Sequence, residues 1–108
     1  MSNVSESRWH TLPLAEQMAN IGSEVGRAAK WQDKDPARFN GAVARALELI
    51  DLTLEDSRWH SRLPELGRFK ELFCDAVLGG KEYGTTLASL EKYLMPFMNV
   101  TARKYSLQ

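Results

Sequence analysis

The sequence is short of the residues that bind metals and make covalent bonds. A single cysteine, Cys74, and two histidines, His10 and His60, stand among 108 residues. One cysteine excludes an internal disulfide and a cysteine-based zinc site. The histidines sit in opposite halves of the chain, neither has a second histidine at helical spacing, and H-E-x-x-H, H-x-x-E-H and E-x-x-H are all missing. Cys74 has no histidine near it in sequence and fits a small core residue better than a nucleophile. No cofactor and no metal are expected.

Charge of one sign is equally lacking. Fourteen Lys and Arg balance fourteen Asp and Glu, so no overall field draws the chain to nucleic acid or an anionic membrane. The same neutrality removes repulsion between copies and favours self-association. No apolar run approaches the roughly 18 residues of a membrane span, and "MSNVSESRWH" lacks the apolar region of a secretion signal. A soluble cytoplasmic protein is expected. No stretch alternates with period two over strand length. With no strand, "LGGKEYGTT" has the glycines of a phosphate loop but neither its spacing nor its context.

What is present is helical periodicity, sufficient for one domain over residues 1–108. Four helices are predicted, over about 12–32, 36–55, 62–78 and 86–104. Leu14, Met18, Ile21, Val25 and Ala28 form the seam of the first, with Thr11 as its N-cap. Asp35 and Pro36 open the second, with Phe39, Val43, Ala46, Leu47, Ile50 and Leu54 inward. Pro64 opens the third, with Leu63, Leu66, Phe69, Phe73 and Val77 inward, and Gly79 or Gly80 closes it. Thr86 caps the fourth, with Leu87, Leu90, Leu94, Phe97 and Met98 inward. Pro96 falls inside that pattern and is expected to kink or shorten the helix. The fold class is all-α, an antiparallel four-helix bundle built from two helical hairpins.

"SRWH" occurs twice, at Ser7–His10 and Ser57–His60, each time just before a Leu-Pro helix start. Because the second and fourth helices share no further pattern, duplication is the weaker explanation. Trp9 and Trp59 are expected to plug the bundle ends, their polar neighbours supplying hydrogen bonds near helix N-termini.

Three other constellations bear on function. Glu48 with Asp51 has the E-x-x-D spacing by which all-α nucleotide pyrophosphohydrolases bind magnesium, and Glu71 with Asp75 offers a second pair. Glu48, Asp51 and Glu55 nevertheless fall on the solvent side of their helix, and a magnesium site needs converging carboxylates. Arg58, Arg62, Arg68 and Lys70, with Arg103 and Lys104, are the basic groupings. They leave open a non-catalytic HEPN-like partner of a nucleotidyltransferase, although the C-terminal helix lacks the histidine of HEPN ribonucleases. Finally, the first helix carries a stripe of small residues, Ala15, Ala19, Gly22, Gly26 and Ala29, beside its apolar seam. Two interior glycines each cost about 1 kcal/mol against alanine, which implies close approach by a neighbouring helix or a partner. Its polar sector (Glu16, Asn20, Ser23, Glu24 and Arg27) also holds Trp31, expected to stack on Arg27 or anchor a partner. Gly22, Gly26, Arg27 and Trp31 are therefore the candidate partner interface.

"WHTLPLAEQMANIGSEVGRAAKW", with "ALELIDLTLEDSRW", "RLPELGRFKELFCD" and "EYGTTLASLEKY", resembles a family of short, uncharacterised prokaryotic helical-bundle proteins. The resemblance implies the fold and no activity. Taken together, the residues predict a non-enzymatic bundle acting by protein–protein contact, as a homodimer or an accessory subunit.

Overall fold

The computed structural model describes residues 6–106, with side chains through Phe97. It is all-helical, with no strand among the described residues: α1 (Glu6–Trp9), α2 (Leu14–Trp31), α3 (Pro36–Leu54), a 3-10 segment (Ser57–Arg62), α4 (Leu63–Val77) and α5 (Leu87–Ser106). None of these helices is long and apolar enough to cross a membrane.

Local chemistry explains most of the boundaries. Asp35 accepts from the Arg38 amide at 3.1 Å and Pro36 takes the first helical position, where its missing N–H costs nothing. Thr86 and Ser89 cap α5 reciprocally, the Ser89 amide donating to Thr86 Oγ1 at 3.1 Å and the Thr86 amide to Ser89 Oγ at 3.3 Å. Two expected boundary devices differ. Thr11 is not the cap of α2, because its hydroxyl donates to the Arg8 carbonyl at 2.6 Å, at the end of α1; α2 instead follows extended Pro13. Nor does Pro96 end α5, which runs on through it to Ser106. The expectations for the side chains of Met98, Arg103 and Lys104 lie outside the described residues.

The core contains Trp9, Met18, Ile21, Val25, Ala28, Ala42, Ala46, Leu49, Ile50, Leu66, Phe69, Phe73, Leu87, Leu90 and Leu94. Three of the four seams match the expected ones. On α3 the buried face is rotated: Ala42, Ala46, Leu49, Ile50 and Thr53 are buried, whereas Phe39, Val43, Leu47 and Leu54 are only partly so. Alanines at 42 and 46 let α3 lie close to α2, and the larger residues then fit at the flanks.

Helix α2 packs along both α3 and α5. Its small stripe is used within the chain. Ala19 and Gly22 are buried, and a Cβ at Gly26 would stand 2.6 Å from Glu91 Oε2 of α5. By contrast, α4 meets α5 over a much smaller surface. The 78–86 connection between them is organised by Asp75, whose buried carboxylate accepts the amides of Glu82 (2.9 Å), Tyr83 (3.2 Å) and Thr85 (3.3 Å). Burial pushes the Asp75 carboxyl up, but these backbone bonds outweigh it and hold it below its ordinary range. Gly79 and Gly80 both have positive φ, 102° and 74°.

Two glycines should therefore respond oppositely to alanine. At Gly80 (φ +74°) a Cβ would lie 2.7 Å from the Thr85 carbonyl oxygen, which is backbone and cannot rotate away. Gly80→Ala is expected to cost about 1–3 kcal/mol in urea denaturation. At Gly26 the obstruction is the tip of the Glu91 side chain, so Gly26→Ala should be neutral or gain up to about 1 kcal/mol of helix propensity. Gly26→Leu, which must push α5 away, should lose about 1–3 kcal/mol at every protein concentration.

Candidate functional site

The two SRWH copies converge on one buried side chain. Gln17, on α2, is fully buried. Its Nε2 donates to the Trp9 carbonyl at 2.8 Å and to Asp56 Oδ2 at 3.1 Å, and its Oε1 accepts from Trp59 Nε1 at 2.7 Å. Trp9, itself wholly buried, donates its indole N–H to Thr53 Oγ1 at 3.0 Å, and Thr53 donates on to the Leu49 carbonyl at 2.9 Å. Asp56 takes Arg58 through Nε at 3.0 Å and Nη2 at 2.7 Å, and Arg58 also reaches the Leu12 carbonyl at 2.7 Å. The same guanidinium covers the Trp59 ring at 4.5 Å.

This arrangement corrects the plug expectation. The indoles are not separate stoppers at the bundle ends; both belong to a polar network under the N-terminus of α2. The copies also differ in conformation, the first in α-helix and the second in a 3-10 turn, so the shared letters serve different geometries. His10 Nε2 donates to the Leu52 carbonyl at 3.0 Å, whereas His60 is exposed. Among the described residues no group of three His, Cys, Asp or Glu is placed to hold a metal.

Every polar atom of the Gln17 amide has a partner. The buried amide has no unfilled donor or acceptor with which to bind a substrate, so its role is structural. The Arg58 side chain is the largest influence on Asp56, and against the cost of burial it holds the carboxyl well below the usual carboxylate range, helped by Gln17 and the Arg58 amide. Sequence reasoning passed over Gln17 and Asp56. The available signal was a glutamine inside an apolar arc, between Leu14 and Ile21.

The magnesium carboxylates are not brought together. Glu48 is exposed; Asp51 is bonded to Lys70 Nζ at 2.6 Å; Glu71 lies 3.5 Å from Arg68; and Asp75 is committed to its loop. Its bond to Asp51 raises the Lys70 pKa above the ordinary value. The basic group is likewise divided into pairs, with Arg58 on Asp56, Arg62 3.7 Å from Glu65, Arg68 on Glu71, and Lys70 on Asp51. Of the proposed interface residues, Gly22 is buried and Gly26 is covered by Glu91, while Arg27 and Trp31 line an open cleft between α2 and α3. Trp31 stacks under Arg38 (4.6 Å) and Lys30 (5.0 Å), not on Arg27, because Arg27 is turned to Glu24.

An open apolar surface lies where α4 and α5 diverge. A groove of about 340 Å³ runs between them, floored by Phe69, Leu72, Leu90 and Tyr93 and rimmed by Glu65, Arg68, Thr85 and Ser89. The rings of Phe69 and Tyr93 stack at 6.3 Å. The large hydrophobic residues most exposed among those described are Leu78, Tyr83, Tyr93 and Met95, all on the α4–α5 half of the chain, with Tyr93 59% exposed. No protein-family model, curated protein or solved structure matches the chain.

The Gln17 network makes two expectations measurable. Gln17→Leu strands the Trp59 indole N–H and takes one donor each from the Asp56 carboxylate and the Trp9 carbonyl, and should lower stability on the order of 3 kcal/mol. A carboxyl whose folded pKa is depressed stabilises the fold above its unfolded value near about 4, and that contribution is lost as pH falls further. The urea midpoint of the parent should therefore drop from pH 5 to pH 2. Asp56→Asn should be weaker at pH 7 yet show a flatter profile over this range, the remaining slope including Asp75.

Proposed function

We propose that this chain is a non-enzymatic helical-bundle protein that works by protein–protein contact, pairing with a second copy of itself through the α4–α5 face. The scaffold of this proposal is an antiparallel four-helix bundle of two hairpins, bent at Pro96. The observation that carries it is the apolar groove between α4 and α5, with Tyr93 exposed on its floor. An apolar surface of this kind, rimmed by polar residues, is costly to leave in water and characteristic of interaction sites.

A second copy fits the rim. Glu65 and Arg68 stand on the same edge and carry opposite charges. A two-fold axis sets each against its opposite on the other copy, as isologous pairing requires. Their contacts within the chain, at 3.7 and 3.5 Å to exposed partners, are weak and exchangeable. Zero net charge places no long-range repulsion against the encounter. The pyrophosphohydrolase alternative lacks comparable support, since Asp51 and Asp75 are each committed elsewhere. No observation favours the HEPN-like partner.

Sedimentation equilibrium of the parent is expected to show a monomer–dimer equilibrium. Tyr93→Glu should shift it to monomer, weakening association by at least about tenfold, with helix content unchanged by far-ultraviolet circular dichroism. Gly22 and Gly26 are covered from within, so stability changes at α2 should leave the dimer constant alone. A parent that stays monomeric at the highest concentrations, or a Tyr93→Glu variant that pairs like the parent, would reject the dimer.

A further inference from the structure

A second open feature lies on different residues. The cleft between the C-terminal half of α2 and the first turns of α3 has a volume of about 350 Å³ and is lined by Arg27, Trp31, Ala37, Arg38, Gly41 and Arg45. Its size is at the lower end of small-ligand pockets, about 300–1,000 Å³. In a chain of zero net charge, three guanidinium groups surround this one space, with the Lys30 ammonium beside it on Trp31.

Two of the arginines are held in place from below. Glu24 is a buried carboxylate that takes Arg45 Nε at 3.1 Å through one oxygen and Arg27 Nη1 through the other. Because Arg45 is gripped at Nε, its Nη donors remain available to the cleft. Gly41 leaves space for them: a Cβ there would already stand 3.4 Å from Arg45 Nη1. Arg38 has one longer contact, 3.5 Å to Asp35, and lies over the Trp31 ring at 4.6 Å. Glu24 and Asp35 thus offset only part of the positive charge, and the N-terminal end of α3 adds its partial positive charge to the same space.

Fixed guanidinium donors match the oxygens of a phosphate better than a mobile lysine does. A tryptophan beside them offers a face on which a flat ring can extend the cation–aromatic stack. We propose that this cleft binds a small phosphomonoester carrying a flat heteroaromatic ring, a nucleoside monophosphate being the class it fits. The phosphate sits among Arg27, Arg38 and Arg45, over Ala37 and Gly41, and the base lies against Trp31. The proposal does not depend on the α4–α5 pairing, since the cleft and the groove share no lining residue.

Titration calorimetry of the full chain with AMP, adenosine and inorganic phosphate provides the test. AMP should bind saturably and at least about tenfold more tightly than either fragment, and more weakly as salt is raised. Arg38→Ala removes an exposed side chain outside the core and should weaken AMP about tenfold or more. Gly41→Leu fills the cleft while improving helix propensity; it should abolish binding with helix content by far-ultraviolet circular dichroism unchanged. Absence of saturable AMP binding at millimolar concentration overturns the proposal. So does inorganic phosphate binding as tightly as AMP, or binding that persists unchanged in both variants.

Discussion

A carboxamide taken wholly out of water must find partners for its oxygen and both its hydrogens, or the fold loses several kcal/mol. Gln17 meets that demand with three bonds to groups that lie far from it in the chain or outside its helix: the Trp9 backbone, the Trp59 indole and the Asp56 carboxylate. Each bond is worth about 1 kcal/mol net, but their joint geometry is worth more, because none can be kept if another moves. The N-terminal segment and the α3–α4 connection are therefore fixed to α2 at one point. Arg58 reinforces that point by closing over Asp56, Trp59 and the Leu12 carbonyl together. Thr53 extends it into α3 by accepting the Trp9 indole N–H.

Packing along the rest of α2 follows from the sizes of its side chains. Small residues on α2 meet Ala42 and Ala46 of α3 on one side and the α5 helix at Gly26 on the other. Axes that approach closely gain dispersion contacts along their whole length. The consequence falls on α4, which carries Leu66, Phe69 and Phe73 toward the core. These bulky residues hold it further out, and α5, already drawn to α2, cannot cover its flank. The open α4–α5 groove is what remains when two neighbours compete for one slender helix.

Legibility in the sequence followed the range of the interactions involved. Helix limits at Asp35, Pro36, Gly79 and Thr86 could be read because caps and turns are decided by residues within one turn of each other. Thr11 misled for the same local reason: a hydroxyl placed to cap α2 found the Arg8 carbonyl of a four-residue helix that no periodicity announces. The α3 face was read one step off because periodicity weighs Phe39 and Val43 above alanines, whereas close packing prefers the alanines. Asp75 looked like half of a metal pair by spacing. Its true partners are backbone amides beyond two glycines, and nothing in residue type marks them. Gln17 was visible as a polar residue in an apolar arc, but its partners lie on two segments distant in sequence and could not be paired without the fold.

The same division separates the parts of the molecule that hold it together from those that face outward. At Gln17 both amide hydrogens and both neighbouring indole N–H groups are used, and such closed networks resist opening. Across the middle, Glu24–Arg45 and Asp51–Lys70 tie α3 to its neighbours on either side, at 3.1 and 2.6 Å. What these ties leave over is unequal. On the α4–α5 flank the residue is apolar surface with both charges at its rim; in the α2–α3 cleft it is positive charge gripped by one buried carboxylate. An apolar groove is best relieved by another protein surface, which removes water over a broad area. Concentrated cationic donors are best satisfied by a compact anion, which a flat protein surface rarely supplies. The two features therefore call for occupants of different kinds, and Glu24, buried beneath the arginines, makes the second a positioned set of donors instead of a chance meeting of surface charges.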